Sequence, residues 1–378
     1  MKILQINASY KPAYIYGGPT MSVSKLSEQL VKLKCNVEVF TTTANGTEEL
    51  KLCTAVPHQV DGVTVRYFKR LSKDHSHFSP QLLLALWKEV RSFDVVHIHA
   101  WWNLTSMLSC FIALIRNVPV ILSPRGTLSP YTFANRHVRI KKMFHITIGK
   151  FLLNRCHIHS TSEREQAAIA KLLNPKSIFN IYNLVNLPVY IPPPAYQSGM
   201  LKLLFLSRIE NKKGLDLLFD ALAELPIPYQ LSIAGSGNEA YIEKLKMKSR
   251  QLGIAERLEW IGFKTHSKFD LIASHDVLVL PSRDENFGNV VIESLCVGTS
   301  VLISKEVGLA EYVQKNNLGW ICDITVSSIQ ENLSNIYHGS GKLKIIREFG
   351  PAVINSVFND NKLTQQYLNM YELVSQPA

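Results

Sequence analysis

Apolar positions along this chain follow two alternating periods. Short, nearly continuous apolar runs predict strands: KILQIN from Lys2, VEVFT from Val37, VTVRYF from Val63, DVVHIH ending at His99 and VPVILS ending at Ser123. Between them lie stretches with apolar residues at helical spacing. PTMSVSKLSEQLVKLK opens with Pro19, and SPQLLLALWKEVR sets Ser79 as N-cap with Pro80 at the first helical position. Strand and helix alternating in this way predict a parallel sheet with helices on both faces.

The pattern breaks at NLPVYIPPPAYQSG, residues 186–199, where four prolines fall without periodicity, as in an interdomain linker. It then restarts. Strands KLLFLS, QLSIAG, LEWIG, VLVLP and SVLIS alternate with helices over 213–224, 238–252, 265–273 and 288–298, and residues 325–374 are mostly helical. The expected fold class is α/β, with two Rossmann-like doubly wound domains facing a cleft. Residues 1–186 form the first, 187–200 the linker and 201–360 the second, and the final helix over about 361–378 packs back on the first. Ligands of such sheets bind beyond the carboxyl ends of the strands.

Charge is divided unevenly. Residues 1–196 hold 23 Lys and Arg against 10 Asp and Glu, whereas residues 197–378 hold 18 against 20. No acid occurs between Asp94 and Glu163, so this face seeks phosphates or anionic lipid. The six cysteines are scattered without a CxxC pair, which suits a reducing compartment and makes no metal cluster. The sequons at Asn45, Asn103 and Asn332 are then chance matches. The opening residues read as a first strand rather than a signal peptide, and no apolar stretch is long enough to span a bilayer. A cytoplasmic protein is expected.

The stretch RDENFGNVVIES, residues 283–294, follows a strand and opens a helix. Gly288 lets the backbone approach a ligand, and the helix start offers free N–H groups to a phosphate. Glu285 lies in the loop and Glu293 about a turn and a half into the helix. Two carboxylates flanking an anion site can accept hydrogen bonds from sugar hydroxyls. On spacing the alternative is equally good: one acid at a helix start and one solvated acid. A second stretch, FLSRIENKKGLDLLFDAL, places Arg208 after a strand and Lys213–Gly214 at a helix start, where they can bind a diphosphate.

Taken together, these stretches resemble the retaining glycosyltransferases of family 4, which have the GT-B fold. Glu285 and Glu293 match that family's E-x7-E motif, and Arg208 and Lys213 match its Arg and Lys, with Ser207 where a Gly is usual. In the first half, GGPTMSV looks like the glycine loop that lies against donor phosphates, through Gly17 and Gly18. DVVHIHAWWN is similar to the strand end whose second histidine, here His99, faces the reacting sugar; His97 reads as structural. SPRGTLSP, with Arg125 and Gly126, looks like an acceptor-side segment, as does TSEREQ. Cys35–Asn36 replaces a frequent Gly-His at a turn.

The resemblance implies transfer of a sugar from a UDP- or GDP-linked donor, with retention, to a glycan or polyprenyl-linked glycan, without a metal or other cofactor. Arg208 and Lys213 would neutralise the departing diphosphate. Glu285, with the backbone of Phe287, Gly288, Asn289 and Val290, would hold sugar hydroxyls and phosphates, and Glu293 would accept from the ribose. His99 would contact sugar or acceptor. Residues 135–155 mix Arg136, Arg139, Lys141, Lys142, Lys150 and Arg155 with Ile140, Met143, Phe144, Ile148, Phe151 and Leu152. A helix of this kind can lie on the anionic inner face of a membrane, each basic residue adding about 1 kcal/mol. A sugar-nucleotide epimerase of the same fold is one alternative. A nucleic-acid-binding protein is another, suggested by the basic balance, though no RRM, KH or helix-turn-helix pattern occurs and no nucleic-acid partner is expected.

Overall fold

The structure, a computed structural model, describes residues 1–134, 138–188, 199–263 and 267–376. The chain separates into two compact units: Met1–Val185 with Phe358–Ala378, and Asn186–Val357.

Among the described residues, the first unit is built on an eight-stranded sheet in the order Ser177–Asn180, His157–Ser160, Val120–Ser123, Val95–His99, Lys2–Ile6, Asn36–Thr42, Val63–Phe68 and Pro57–Val60. All run parallel except Pro57–Val60, which pairs antiparallel with Val63–Phe68. All five residues of Val95–His99 are buried, the mark of a central parallel strand covered on both faces. Helix Gly18–Lys32 and helix Pro80–Glu89 follow their strands, and Ser79 caps the second by accepting from Leu82 N. Asn103, one of the sequons, is 7% exposed and caps helix Leu104–Ile115 through Ser106 N at 2.8 Å. The C-terminal helix Asp360–Ser375 belongs to this unit. It buries Leu363, Tyr367, Met370, Tyr371 and Val374, and Asp360 pairs with Lys25 of Gly18–Lys32 at 2.6 Å.

The second unit holds six parallel strands in the order Leu258–Gly262, Tyr229–Ala234, Leu201–Leu206, Val277–Leu280, Ser300–Ser304 and Gly319–Cys322. Their apolar residues form one core with helices Leu215–Ala223 and Val326–His338. The strand–helix alternation expected in this half is what folds, so the α/β doubly wound class holds for both units. Most of the proline-rich stretch, residues 189–198, lies outside the described residues.

The basic segment differs from the single helix expected. Helix Val138–Phe144 passes into a π turn, His145–Gly149, and then a short helix, Lys150–Leu153. The wider turn rotates the faces apart. Phe144 and Leu152 pack inward, while Met143, Ile146, Ile148 and Phe151 are exposed. Arg139 and Lys142 are exposed as well. Lys141 turns inward, donating to the Thr132 carbonyl at 3.0 Å and lying 6.0 Å from the Trp102 ring. Arg136 lies outside the described residues. No helix among the described residues is long and apolar enough to cross a membrane.

Candidate active site

Both sheets reverse their strand order beside a central strand. In the second unit, Leu201–Leu206 lies between Tyr229–Ala234 and Val277–Leu280, so the loops after Leu206 and Leu280 flank a topological switch point, where open α/β sheets bind ligands. Glycine brings these loops together. Gly214 has φ 73°, and a Cβ there would stand 2.1 Å from the Pro281 carbonyl oxygen. The turn 211–214 therefore abuts the strand end, and three charge pairs stitch the two loops. Arg283 donates to both carboxylate oxygens of Asp216, at 2.9 and 2.8 Å. Lys212 pairs with the buried Asp284 at 2.7 Å. Lys213 pairs with Glu285. The Glu285 backbone is pinned separately, its N donating to Glu306 O at 3.1 Å and its carbonyl accepting from Gly308 N at 2.8 Å.

Burial by itself raises the Glu285 carboxyl, but the Lys213 ammonium, with Lys212 and Arg208, more than offsets this and holds it below its ordinary value. Arg208 stands after the first strand with 56% of its side chain exposed and bonds Glu210 at 2.7 Å. It makes no bond to Lys213 or Glu285, so the two cations expected from sequence pair with different carboxylates, Lys213 with Glu285 and Arg208 with Glu210. Phe287 is 3% exposed, its ring buried. Gly288 (φ 91°) precedes helix Asn289–Leu295 without a side-chain cap, and Asn289 and Val290 sit half-buried in its first turn. Glu293 lies apart from Glu285, its carboxylate accepting from Lys268 Nζ at 2.8 Å. The two glutamates thus each face a lysine. Lys213 was expected as a diphosphate contact and not as the partner of Glu285. Lys268, 25 positions earlier on another helix, carries no signal in the sequence, and neither do Lys212, Asp216, Arg283 and Asp284.

In the first unit the corresponding switch point lies between Lys2–Ile6 and Val95–His99. Gly17 (φ 64°) precedes Gly18 at the start of helix Gly18–Lys32, again without a side-chain cap. His99 ends its strand as expected but not in the open. It is 0% exposed, its Nε2 meets Gln5 Oε1 at 2.7 Å, and its Nδ1 accepts from Arg125 Nε at 3.1 Å. Burial first, then electrostatic interaction with the neighbouring His97 ring and the Arg125 guanidinium, lowers its pKa well below the ordinary value and keeps it neutral. With both nitrogens engaged in these bonds, His99 holds Arg125. Arg125 also bonds Ser22 Oγ and Asn183 Oδ1, both at 2.9 Å. Gly126 N donates to Glu165 Oε1 at 2.7 Å. Asn183 is a partner that no motif announced.

A family model described as Glycosyltransferase Family 4 matches residues 16–188, and one described as Glycosyl transferases group 1 matches residues 194–352. The chain is 26% identical over 404 residues to the uncharacterized glycosyltransferase MJ1607 of Methanocaldococcus jannaschii, covering 99% of this chain and 98% of that protein. It is 27% identical over 173 residues to the lipopolysaccharide core biosynthesis glycosyltransferase LpsE of Rhizobium meliloti, covering 46% and 49%. Among solved structures, Anabaena HepE in complex with UDP and glucose superposes with a TM-score of 0.75 at 18% identity, over 99% of this chain and 100% of that one. One model covers most of the first unit and the other most of the second, and the chain belongs to the family 4 glycosyltransferases, enzymes of the GT-B fold.

Proposed function

We propose that this glycosyltransferase moves a sugar, with retention of anomeric configuration and without a bound metal, from a UDP- or GDP-linked donor to a hydroxyl of a glycan or lipid-linked glycan. The observation that carries this reading is the Lys213–Glu285 pair at the switch point of the second unit, with Arg208 after the neighbouring strand, exposed and paired with Glu210. A diphosphate gains from cations held in advance of its departure, because preorganised charge costs no reorganisation as the bond breaks. Lys213 and Arg208 take the charge of the leaving diphosphate. Glu285 and the backbone of Phe287 to Val290 hold sugar hydroxyls and phosphate, and Glu293 accepts from the ribose. The leaving phosphate oxygen takes the proton of the incoming hydroxyl, so no protein general base is assigned. Arg125 and Gly126 belong to the acceptor side. HepE, bound to UDP and glucose, supports a UDP-linked donor, and LpsE supports a lipid-linked acceptor. Met143, Ile146, Ile148 and Phe151, with Arg139 and Lys142, then attach the enzyme to anionic lipid near that acceptor.

Thermal unfolding with a panel of UDP-, GDP- and ADP-sugars tests the donor. A ligand of the native state raises the transition by mass action. One member is expected to do so, and product NMR with that donor reads retention directly. No shift with any member refutes the reading.

A further inference from the structure

No carboxylate bonds Arg125 among the described residues. Arg66 bonds Glu38 and Glu89, Arg70 bonds Glu49, Arg283 bonds Asp216 and Arg347 bonds Asp276. Arg125, also drawn into the protein, bonds a neutral imidazole, a hydroxyl and an amide oxygen instead. Glu165 acts on Arg125 electrostatically, its oxygens bonding Gly126 N and Thr161. At Asn183 an amide stands where a carboxylate would have cancelled the charge. Nε and Nη1 are occupied, and Nη2 has no hydrogen-bond partner among the described residues. The backbone at Arg125 is left-handed, with φ 51°, a conformation that costs a non-glycine residue and tends to persist at ligand sites.

Behind Arg125 runs a hydrogen-bond chain with one possible direction. Arg125 Nε donates to His99 Nδ1, so His99 carries its proton on Nε2 and donates to Gln5 Oε1 at 2.7 Å. Gln5 Nε2 donates to the Tyr371 hydroxyl at 2.9 Å, which donates in turn to His97 Nδ1 at 2.6 Å. His97 Nε2 donates to Ser123 Oγ at 2.6 Å, and Ser123 donates to His159 Nδ1 at 2.5 Å. His159 Nε2 ends the chain on the Ile181 carbonyl at 2.9 Å. A guanidinium can only donate and a carbonyl can only accept, so the two ends set every proton between them. All three imidazoles are neutral, and the chain orients Arg125 without cancelling its charge.

We propose that Arg125 receives a phosphate group of the substrate, held in place by this relay through Tyr371 of the C-terminal helix. The proposal rests on the acceptor-side reading of the first unit and names the chemistry that side recognises. A phosphate gains more than a singly charged group from an uncompensated cation in an acid-poor region, and the residues from Asp94 to Glu163 contain no acid between them. The phosphate can come from the acceptor or from the diphosphate of the donor.

The experiment follows the Nε–H resonance of Arg125, assigned by its loss in Arg125→Gln, during titration with inorganic phosphate in low-salt buffer. The expected result is a saturable shift that persists with UDP or GDP saturating, which makes the acceptor the source. If the nucleotide by itself moves the resonance and removes the response to phosphate, the site stands and the donor diphosphate fills it. No movement with phosphate or nucleotide overturns the proposal. Asn183→Asp, which sets a carboxylate against Nη1, is expected to weaken the phosphate response at least tenfold. An unchanged response there also overturns it. If Arg125→Gln loses its cooperative thermal transition, wild type and Asn183→Asp still decide the matter. A phosphate response in a protein that no nucleotide-sugar stabilises leaves this site standing and removes the donor reading.

Discussion

Glu293 stands between two explanations, and one pair of substitutions separates them. In the structure its carboxylate is 14% exposed and bonded to Lys268, itself 28% exposed. If that ion pair is its whole purpose, removing either partner costs about 0.5–1 kcal/mol of stability, the worth of a partly exposed pair, and leaves donor binding alone. If instead Glu293 accepts from the ribose of the donor, Glu293→Ala removes a hydrogen bond to a charged group worth about 1.5–3 kcal/mol. With tenfold in affinity for every 1.4 kcal/mol, the donor should bind about 10- to 150-fold more weakly. Lys268→Ala frees the same carboxylate and should bind donor at least as well as wild type. Calorimetry with the nucleotide-sugar that stabilises the protein measures both, and thermal unfolding confirms that each variant is folded. Unchanged donor affinity in folded Glu293→Ala refutes the ribose role. A loss in Lys268→Ala equal to that in Glu293→Ala refutes it too, since the pair and not the carboxylate would then matter.

Lys213→Ala, which strands the Glu285 carboxylate, should lower kcat more than it raises KM, and Arg208→Ala should do the same to a smaller degree; initial rates showing raised KM with normal kcat would mean ground-state binding only. Gly214→Ala should drop Tm by about 5 °C or more, combining left-handed strain of about 1–2 kcal/mol with the clash at Pro281. Gly253→Ala, at φ 67° with open space around it, carries the strain without the clash, so equal losses at the two sites would defeat the close-approach argument. The buried histidines set an acid limit. Burial holds His97 and His99 well below the ordinary value and His159 down at about 3, so below about pH 6.5 the unfolded chain takes up protons that the native state refuses. Stability is therefore full above that value and falls beneath it, by about 1.4 kcal/mol per pH unit for each histidine; a urea midpoint that stays flat from pH 7 to 5 would count against three neutral imidazoles. Arg139→Glu with Lys142→Glu should release the protein from anionic vesicles in flotation while donor binding persists, and a wild type that does not float even at low salt ends the membrane reading.

What could be read along the chain was whatever neighbours in sequence decide. Buried parallel strands are written as local apolar runs, so the strands around Lys2, Val95, Leu201 and Val277 were visible, and so were caps such as Ser79. The loop position of Glu285 and the helical position of Glu293 followed from spacing. Strands His157–Ser160 and Ser177–Asn180 were not visible: they are four residues long, and the buried His159 is satisfied by Ser123 and the Ile181 carbonyl rather than by apolar packing. The basic segment announced its charge but not its faces, because the π turn and the pull of the Thr132 carbonyl on Lys141 decide which side meets solvent. Partners were hidden most completely. Lys213 and Glu285 lie 72 positions apart, Arg283 and Asp216 67, and Gln5 and Tyr371 366. Such pairs form only after the strand order of each sheet is chosen, and that choice is made by burying whole faces at once. A residue's type and spacing state what it can bond. The packing of elements distant in sequence decides which atom stands opposite it, and so made His99 a support for Arg125 and left Arg125 with its charge.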